Sequence, residues 1–249
     1  MTPVQRLLLG LFAAAAAVAP AHATLVTLSG TSVDFLIDDA QPGLAIYGGL
    51  PTVAGDSLLF FPTTFRAESL NGAGAVGANG TVSFEIRARN GGSVDLASVT
   101  VLEAGDYFIT SGSGGSVSAV AQLGATNLQA TNPLLSFVQD VQQTGTLTSG
   151  GANAWSLATN IDFTQAWAKP TDRVRLDLQN NLLATTVLNP SDAFIQKKFN
   201  GLLVEVQVVP LPAALPLLLA GLGGLGALTR RRVAHVAIAQ ARAFRPRLR

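Results

Sequence analysis

The chain has 249 residues, with 16 Lys and Arg, 15 Asp and Glu, 2 His and no Cys, and a formal net charge of +1. The lack of cysteine excludes disulfide bonds and a lipid-modified N-terminal cysteine. Half of the basic residues lie outside residues 24–208, whereas all the acidic residues lie inside, so this body carries −7 (8 − 15). An acidic body gives no electrostatic basis for binding nucleic acid.

The chemistry open to the body is limited further by the positions of the histidines. His22 lies in the N-terminal segment and His235 lies close to the C terminus. Without imidazole or thiol, the body excludes Ser-His-Asp and Cys-His nucleophile systems and zinc sites built from His and Cys. Paired carboxylates for glycoside hydrolysis and oxygen ligands for calcium remain possible. A Ser-Lys arrangement using Lys169, Lys197 or Lys198 has no motif behind it, and we predict that the protein is not an enzyme.

Residues 1–23 have the layout of a secretory signal peptide. A leading region with the single charge of Arg6 is followed by the uninterrupted apolar run Leu7–Val18. Ala21 and Ala23 form an A-x-A cleavage pattern, which predicts processing immediately before Thr24. A buried N-terminal helix is the alternative, but the apolar run is short and the cleavage pattern follows it directly.

Residues 24–208 are predicted to form one all-β domain, because apolar and polar residues alternate in many short stretches. The candidate strands are Thr27–Ile37, Ser57–Phe61, Thr81–Arg87, Ser98–Leu102, Tyr107–Thr110, Ser116–Leu123, Trp155–Phe163, Arg173–Leu178 and Leu203–Val208. Clusters of glycine, asparagine and serine separate them, among them a predicted flexible loop at Asn71–Gly80, and Asn132–Gln143 is left open as helix or strand. Roughly nine or ten such strands indicate a single antiparallel β-sandwich or jelly roll.

Two glycine-rich segments match the dinucleotide-binding pattern G-x-G-x-x-G. In Gly72–Gly77 the match is followed by the predicted strand Thr81–Arg87, whereas a pyrophosphate site needs a helix N terminus there. In Gly221–Gly226 the match lies within an apolar run, where small residues allow close helix packing. Neither segment therefore predicts a nucleotide site.

Two sets of body residues are candidates for ligand binding. Trp155 and Trp167 would stack on sugar rings if exposed, although tryptophans of a sandwich are more often buried. Acidic residues that we place in or beside turns would supply calcium ligands, but no calcium-loop motif is present, and solvated turn carboxylates explain them more simply. These residues are Asp34, Asp38, Asp39, Glu103, Asp106 and Asp140. We predict no cofactor, with calcium left open, and a carbohydrate-binding or carbohydrate-active secreted domain as the alternative function.

A three-part pattern occupies residues 209–232. It consists of a proline-rich motif, the apolar run Leu217–Leu228 and a cluster of arginines. The motif residues are Val209, Pro210, Leu211, Pro212 and Ala213, and the stop-transfer residues are Arg230, Arg231 and Arg232. As a helix, Leu211–Leu228 would span roughly 27 Å, close to the ~30 Å hydrocarbon core of a bilayer. Prolines favour an extended neck before this transmembrane helix, and the arginines hold its end in the cytoplasm, which places the body outside.

This pattern resembles the PEP-CTERM family of bacterial protein-sorting signals in its VPLPA variant. The resemblance implies a Gram-negative bacterium, export through the inner membrane, and recognition there by an exosortase, a membrane cysteine transpeptidase that cuts near the motif. It also implies passage of the body from a transient membrane anchor to the cell surface or extracellular space, in an exopolysaccharide or biofilm context. Leu28–Phe35 and Phe65–Gly72 also look like exported proteins carrying this tail. We therefore predict a structural or adhesive surface protein.

Residues 233–249 depart from the family pattern, whose members end soon after the arginine cluster. This extension combines Ala, Val and Ile with four arginines. It is predicted to be disordered, with a basic amphipathic segment on the inner leaflet as the alternative.

Overall fold

The computed structural model describes residues 24–89, 94–130, 136–167 and 171–210. These residues form two antiparallel β-sheets whose inner faces share one hydrophobic core, which confirms the all-β sandwich. The signal peptide with Ala21 and Ala23, the motif residues Leu211–Ala213, the predicted transmembrane segment, the arginine cluster and residues 233–249 lie outside the described residues.

The described strands follow one another along the chain with short connections. They are β1 (Leu25–Ser29), β2 (Val33–Asp38), β3 (Thr52–Ala54), β4 (Ser57–Phe60), β5 (Arg66–Leu70), β6 (Gly74–Ala88), β7 (Val94–Ile109), β8 (Ser116–Asn127), β9 (Phe137–Gln143), β10 (Gly151–Asp162), β11 (Arg173–Thr186) and β12 (Asp192–Pro210). A 3-10 helix, Pro42–Tyr47, follows β2, and one helical turn, α1 (Phe163–Ala166), follows β10.

The strand order brings distant parts of the chain together. One sheet has the order β1-β2-β6-β11-β8-β9, and the other has the order β10-β7-β12-β4-β3 with β5 paired to β12. Consecutive long strands β11 and β12 therefore lie in opposite sheets. The inward residues of both sheets are largely aliphatic and aromatic, and full burial of each large one stabilises the fold by about 1.5–3 kcal/mol.

The strand β7 is longer than the sequence pattern indicated. The predicted strands Ser98–Leu102 and Tyr107–Thr110 belong to this one strand, because Gly105 stays in the sheet and pairs with Trp155 on β10. A Cβ atom on Gly105 would lie 1.9 Å from the carbonyl oxygen of Gln196 and 2.4 Å from Nε1 of Trp155. This glycine is thus required by close approach within a sheet and does not mark a turn.

The pairing of strands also decides the predictions for the segments Asn71–Gly80, Thr81–Arg87 and Asn132–Gln143. The predicted flexible loop Asn71–Gly80 is wrong from Gly74 onward, because Gly74–Gly80 pairs with β11 as the first half of β6. The strand Thr81–Arg87, predicted to follow the glycine pattern, is confirmed as the second half of β6. The segment left open at Asn132–Gln143 contains the strand β9.

The last described strand reaches into the proline-rich motif. β12 lies inside its sheet between β7 and β4, and its pairing with β7 continues to Val209 opposite Asp95 and Pro210 opposite Val94. The extended conformation predicted for the neck is therefore present at its first two residues, where it is part of the sheet. Among the described residues, no helix is long and apolar enough to cross a bilayer.

Candidate functional site

The two tryptophans proposed for sugar stacking lie in the core. Trp155 is 6% exposed and Trp167 is 7% exposed. Nε1 of Trp155 donates to the carbonyl oxygen of Gln196 at 3.1 Å, and the Trp167 ring stacks on Phe163 with centroids 5.0 Å apart. Neither indole offers a free face to a sugar ring, so carbohydrate stacking loses the platform that the sequence suggested.

The candidate calcium ligands do not converge. Asp34 and Asp38 lie in β2, Asp39 lies just after it, and the prediction that Glu103, Asp106 and Asp140 lie in or beside turns is wrong. Glu103 and Asp106 lie inside β7, where Gly105 is also part of the strand, and Asp140 lies inside β9. In the ranges that the structure describes, no group of three or more His, Cys, Asp or Glu side chains could hold a metal ion.

A shallow depression of about 660 Å³ lies over β2, β6 and β11. Its charged lining is largely self-neutralised, since Glu85 accepts hydrogen bonds from Nε and Nη2 of Arg173 at 2.7 and 3.0 Å. Arg175 pairs with Asp177 in the same region. The hydrogen bond from Arg173 is the main cause that holds the pKa of Glu85 below its usual value. At Glu85, Arg173 and Arg175 this surface therefore presents paired rather than free charges.

Four polar side chains meet between the sheets, and we call them the core polar cluster. They are Tyr47 from the 3-10 helix, Glu103 from β7, Asn180 from β11 and Lys197 from β12. Strand alternation sends the last three inward. Glu103 shares its face of β7 with Val101 and Tyr107, and Asn180 shares its face of β11 with buried leucines.

Lys197 lies on the core-facing side of β12 together with Ala193 and Ile195. Lys197 and Leu202 are five positions apart, so a regular strand would place them on opposite faces. The register between β12 and β7 shifts between these two residues, and both are buried. The shift therefore allows one strand to direct the ammonium group and, further on, the aliphatic residues to the same core.

Hydrogen bonds join the core polar cluster into a continuous chain. Nζ of Lys197 donates to Oε2 of Glu103 in a very short contact. Nδ2 of Asn180 donates to the other oxygen, Oε1, of the same carboxylate at 2.7 Å. Oη of Tyr47 lies 3.0 Å from Oδ1 of Asn180 and 2.9 Å from the carbonyl oxygen of Gly80. One carboxylate thus accepts hydrogen bonds from both the lysine amine and the asparagine carboxamide.

The core polar cluster is sealed from solvent by aromatic rings. The side chains of Lys197 and Glu103 are 0% and 1% exposed. Nζ of Lys197 lies 5.5 Å from the ring centroid of Phe65 and 5.4 Å from that of Trp155. Such positions over ring faces stabilise a cation and also exclude water from the amine.

Burial changes the acid–base behaviour of the core polar cluster. Desolvation lowers the pKa of Lys197, and Glu103 opposes this change. Desolvation, with a smaller contribution from Glu103, raises the pKa of Tyr47, which therefore keeps its proton and remains a donor. Removing an ion pair from water costs several kcal/mol per ion before the attraction is counted. A buried Lys–Glu pair is thus an expensive feature in a small sandwich.

Lys197 and Glu103 were recognisable in the sequence but not as partners, and neither Asn180 nor Tyr47 was predicted to be functional. A signal was present for three of them. Glu103, Asn180 and Lys197 occupy the apolar phase of strands whose neighbouring inward residues are largely hydrophobic. Polar residues in that phase indicate a buried partner. The partners themselves are 77 and 94 residues apart in the chain, so sequence alone did not identify them.

The two sheets and the core between them define the chain as an all-β sandwich protein. No protein-family model matches it, and no curated protein matches it. Eiger TNF from S. frugiperda is similar at 13% identity over 53% of this chain and 91% of that chain, with a TM-score of 0.20. A cyclase from Fischerella sp. TAU is similar at 11% identity over 73% and 78%, with a TM-score of 0.23. A carbohydrate-binding module specific for non-crystalline cellulose is similar at 12% identity over 54% and 79%, with a TM-score of 0.22. Scores this low carry no argument about function.

Proposed function

We propose that the protein is a non-enzymatic structural or adhesive domain of the bacterial surface or its matrix. In this proposal the chain is exported, is held transiently in the inner membrane by its C-terminal segment, and is processed by an exosortase at the VPLPA motif. The sequence of the tail supports the route, and the sandwich supplies a body able to persist outside the cell without disulfide bonds.

The position of β12 is the observation that carries the structural role. A protein attached through its C terminus receives any pulling force on its last strand. Here that strand lies inside its sheet, paired with β7 on one side and with β4 and β5 on the other. A strand with neighbours on both sides resists removal better than an edge strand, because two ladders must break together. The attachment point is therefore one of the best-held parts of the described body.

Mass spectrometry of the full-length protein expressed in an exosortase-containing host tests the processing. We expect the surface form to lack peptides from Leu217–Leu228, and a host without the enzyme to retain them in the membrane. Intact peptides from this segment in the surface form would contradict cleavage.

The same experiment can test the motif itself. Replacement of Pro210 and Pro212 by Ala removes the residues that favour an extended stretch, so an uncut membrane-bound form should accumulate. Leu188→Ala, at an exposed position in the body, is the matched control. Normal processing of the double proline variant would remove the motif from the proposal.

A glycan array decides the alternative function. Since both tryptophans are buried, loss of binding in their alanine variants would report unfolding, and the wild-type protein is the informative sample. The structural proposal expects no saturable binding to a defined glycan. Reproducible saturable binding would favour the carbohydrate-binding alternative.

A further inference from the structure

We propose that the core polar cluster makes a covalent cross-link: Nζ of Lys197 and Cγ of Asn180 form an isopeptide bond, with Glu103 and Tyr47 as the assisting groups. The bond would tie β12 in one sheet to β11 in the other. This inference goes beyond the structural function and does not depend on where the protein is sorted.

Lys197 is placed as the nucleophile. An amine attacks a carbonyl only in its neutral form, and the burial that lowers the pKa of Lys197 favours that form. Its proton has an immediate acceptor in Oε2 of Glu103, to which Nζ donates. The rings of Phe65 and Trp155 keep water away, so the proton passes within the pair.

Asn180 is placed as the electrophile. Attack on Cγ turns Oδ1 into an oxyanion, and Oη of Tyr47 lies 3.0 Å from this oxygen. Tyr47 keeps its proton because its pKa is raised by burial. Its single proton is shared between Oδ1 and the carbonyl oxygen of Gly80, and developing negative charge draws it to Oδ1. This is the arrangement by which a preorganised donor stabilises a tetrahedral intermediate.

Glu103 is placed to move the remaining protons. Oε1 accepts from Nδ2 of Asn180 at 2.7 Å, and Oε2 accepts from Nζ of Lys197, so one carboxyl group contacts both the leaving group and the nucleophile. Once protonated by Lys197, it donates to Nδ2 and then takes a second proton from the attacking nitrogen. General acid–base catalysis requires this hydrogen-bond reach to both atoms.

The reaction balances without any added reagent. A bond forms between Nζ and Cγ, the bond between Cγ and Nδ2 breaks, and ammonia leaves. No atom is oxidised or reduced. Lys197 begins as an ammonium group and ends as a secondary amide, while Glu103 begins as a carboxylate and ends as a neutral acid. The reaction therefore replaces a costly buried ion pair by uncharged groups, which favours the product.

Intact-mass measurement of the purified full-length protein tests the proposal. We expect the folded wild-type chain to be lighter than its sequence by one ammonia molecule. Tandem mass spectrometry should find a branched peptide that joins Lys197 to Asn180. Glu103→Gln and Lys197→Arg should have the full sequence mass, because the first removes the proton carrier and the second removes the amine.

Matched controls come from the neighbouring positions. Lys198 and Asn181 are exposed residues of the same types on the same two strands, and Lys198→Ala and Asn181→Ala should keep the mass loss. If Glu103→Gln or Lys197→Arg fails to fold, the wild-type measurement still decides. A folded wild-type chain with its full mass overturns the proposal, and so does an ammonia loss that maps to a succinimide at an asparagine instead of to a branched peptide.

Discussion

At the scale of single residues, Gly105 allows Trp155 to close over the core polar cluster. The two residues are paired across β7 and β10, and the indole occupies the space where any other residue would carry its Cβ. The carbonyl oxygen of Gln196 also borders this space, and a backbone atom cannot move aside as a flexible side chain would. The packing of the Trp155 ring over Lys197 therefore requires that residue 105 has no Cβ atom.

We expect Gly105→Ala to lower the free energy of unfolding by about 1–3 kcal/mol, the usual cost of overpacking a core. Urea unfolding measures this change. Gly77→Ala is the control, because its added Cβ would find its nearest neighbour, the carbonyl oxygen of Leu182, at 3.6 Å. Equal stabilities of the two variants would mean that Trp155 can repack without loss.

A second residue-scale prediction concerns pH and Glu85. Its pKa is lowered in the folded protein, chiefly by the hydrogen bond from Arg173. The stabilisation is therefore present above the unfolded value of about 4.3 and is lost as the pH falls through the lower folded value. We expect Glu85→Gln to lower the free energy of unfolding at pH 7 by about 0.2–1 kcal/mol, as for partly exposed pairs.

The control for this prediction is Glu205→Gln, at an exposed position on β12. Urea unfolding at a series of pH values should show the Glu85→Gln difference disappearing in acid. A difference that stays constant from pH 7 down to the acid range would assign the effect to packing and not to ionisation.

At the scale of elements, the edge strand β9 is tied to the other sheet by one carboxylate. Oδ2 of Asp140 accepts the backbone N–H of Asn160 on β10 at 2.8 Å, and Oδ1 accepts from Gln142 at 3.0 Å. β9 exposes Phe137 and Val141, so little apolar burial holds it in place. The hydrogen bond between the two edges thus closes one side of the sandwich.

We expect Asp140→Ala to speed hydrogen exchange in β9 and at the amide of Asn160, because a hydrogen bond worth about 1 kcal/mol is removed. The edge strand β1, at the far side of the same sheet, provides an internal control and should exchange as in the wild type. Exchange that increases equally in β1 and β9 would indicate global destabilisation and not local opening.

At the scale of the whole molecule, Thr24 and the C terminus are predicted to lie on opposite sides of a membrane after signal-peptide removal and before cleavage by the exosortase. Thr24 is exposed beside β1 at the edge of its sheet, whereas the tail continues from β12 in the middle of the other sheet. If force acts through the tail, the ladder from Leu202 to Pro210 is loaded first. A covalent bond between Lys197 and Asn180 would stop the separation of β12 from β7 at that point, because the force would then also act on β11 in the opposite sheet.

Reporter fusions test this topology. A phosphatase that is active only outside the cytoplasm, inserted between Ala23 and Thr24, should be active if the body is exported as proposed. The same reporter placed after Arg249 should be inactive if Arg230–Arg232 hold that end inside, as the positive-inside rule predicts. Activity of the C-terminal fusion together with silence of the N-terminal one would reverse the orientation and contradict the export proposal.

The sequence by itself predicted the all-β sandwich, because period-two alternation in stretches such as Thr81–Arg87 and Arg173–Leu178 reports directly on burial. The three-part tail is also recognisable from the sequence, because the length, hydropathy and charge of a continuous segment do not depend on the rest of the fold. Its errors were local too: glycines at Gly74–Gly80 and Gly105 resembled turns. In the structure they lie in strands, and at Gly80 and Gly105 neighbouring atoms occupy the space that a Cβ would need.

Only the tertiary structure decided which inward polar residues meet. Glu103 is brought to Asn180 and Lys197 by strand order across two sheets, and the register shift in β12 lets Leu202 face the same core as Lys197. Pairing partners are selected by the packing of the whole core, and alternation within one strand does not encode them. The chemistry of the core polar cluster therefore arises from contacts between segments that are remote in the chain.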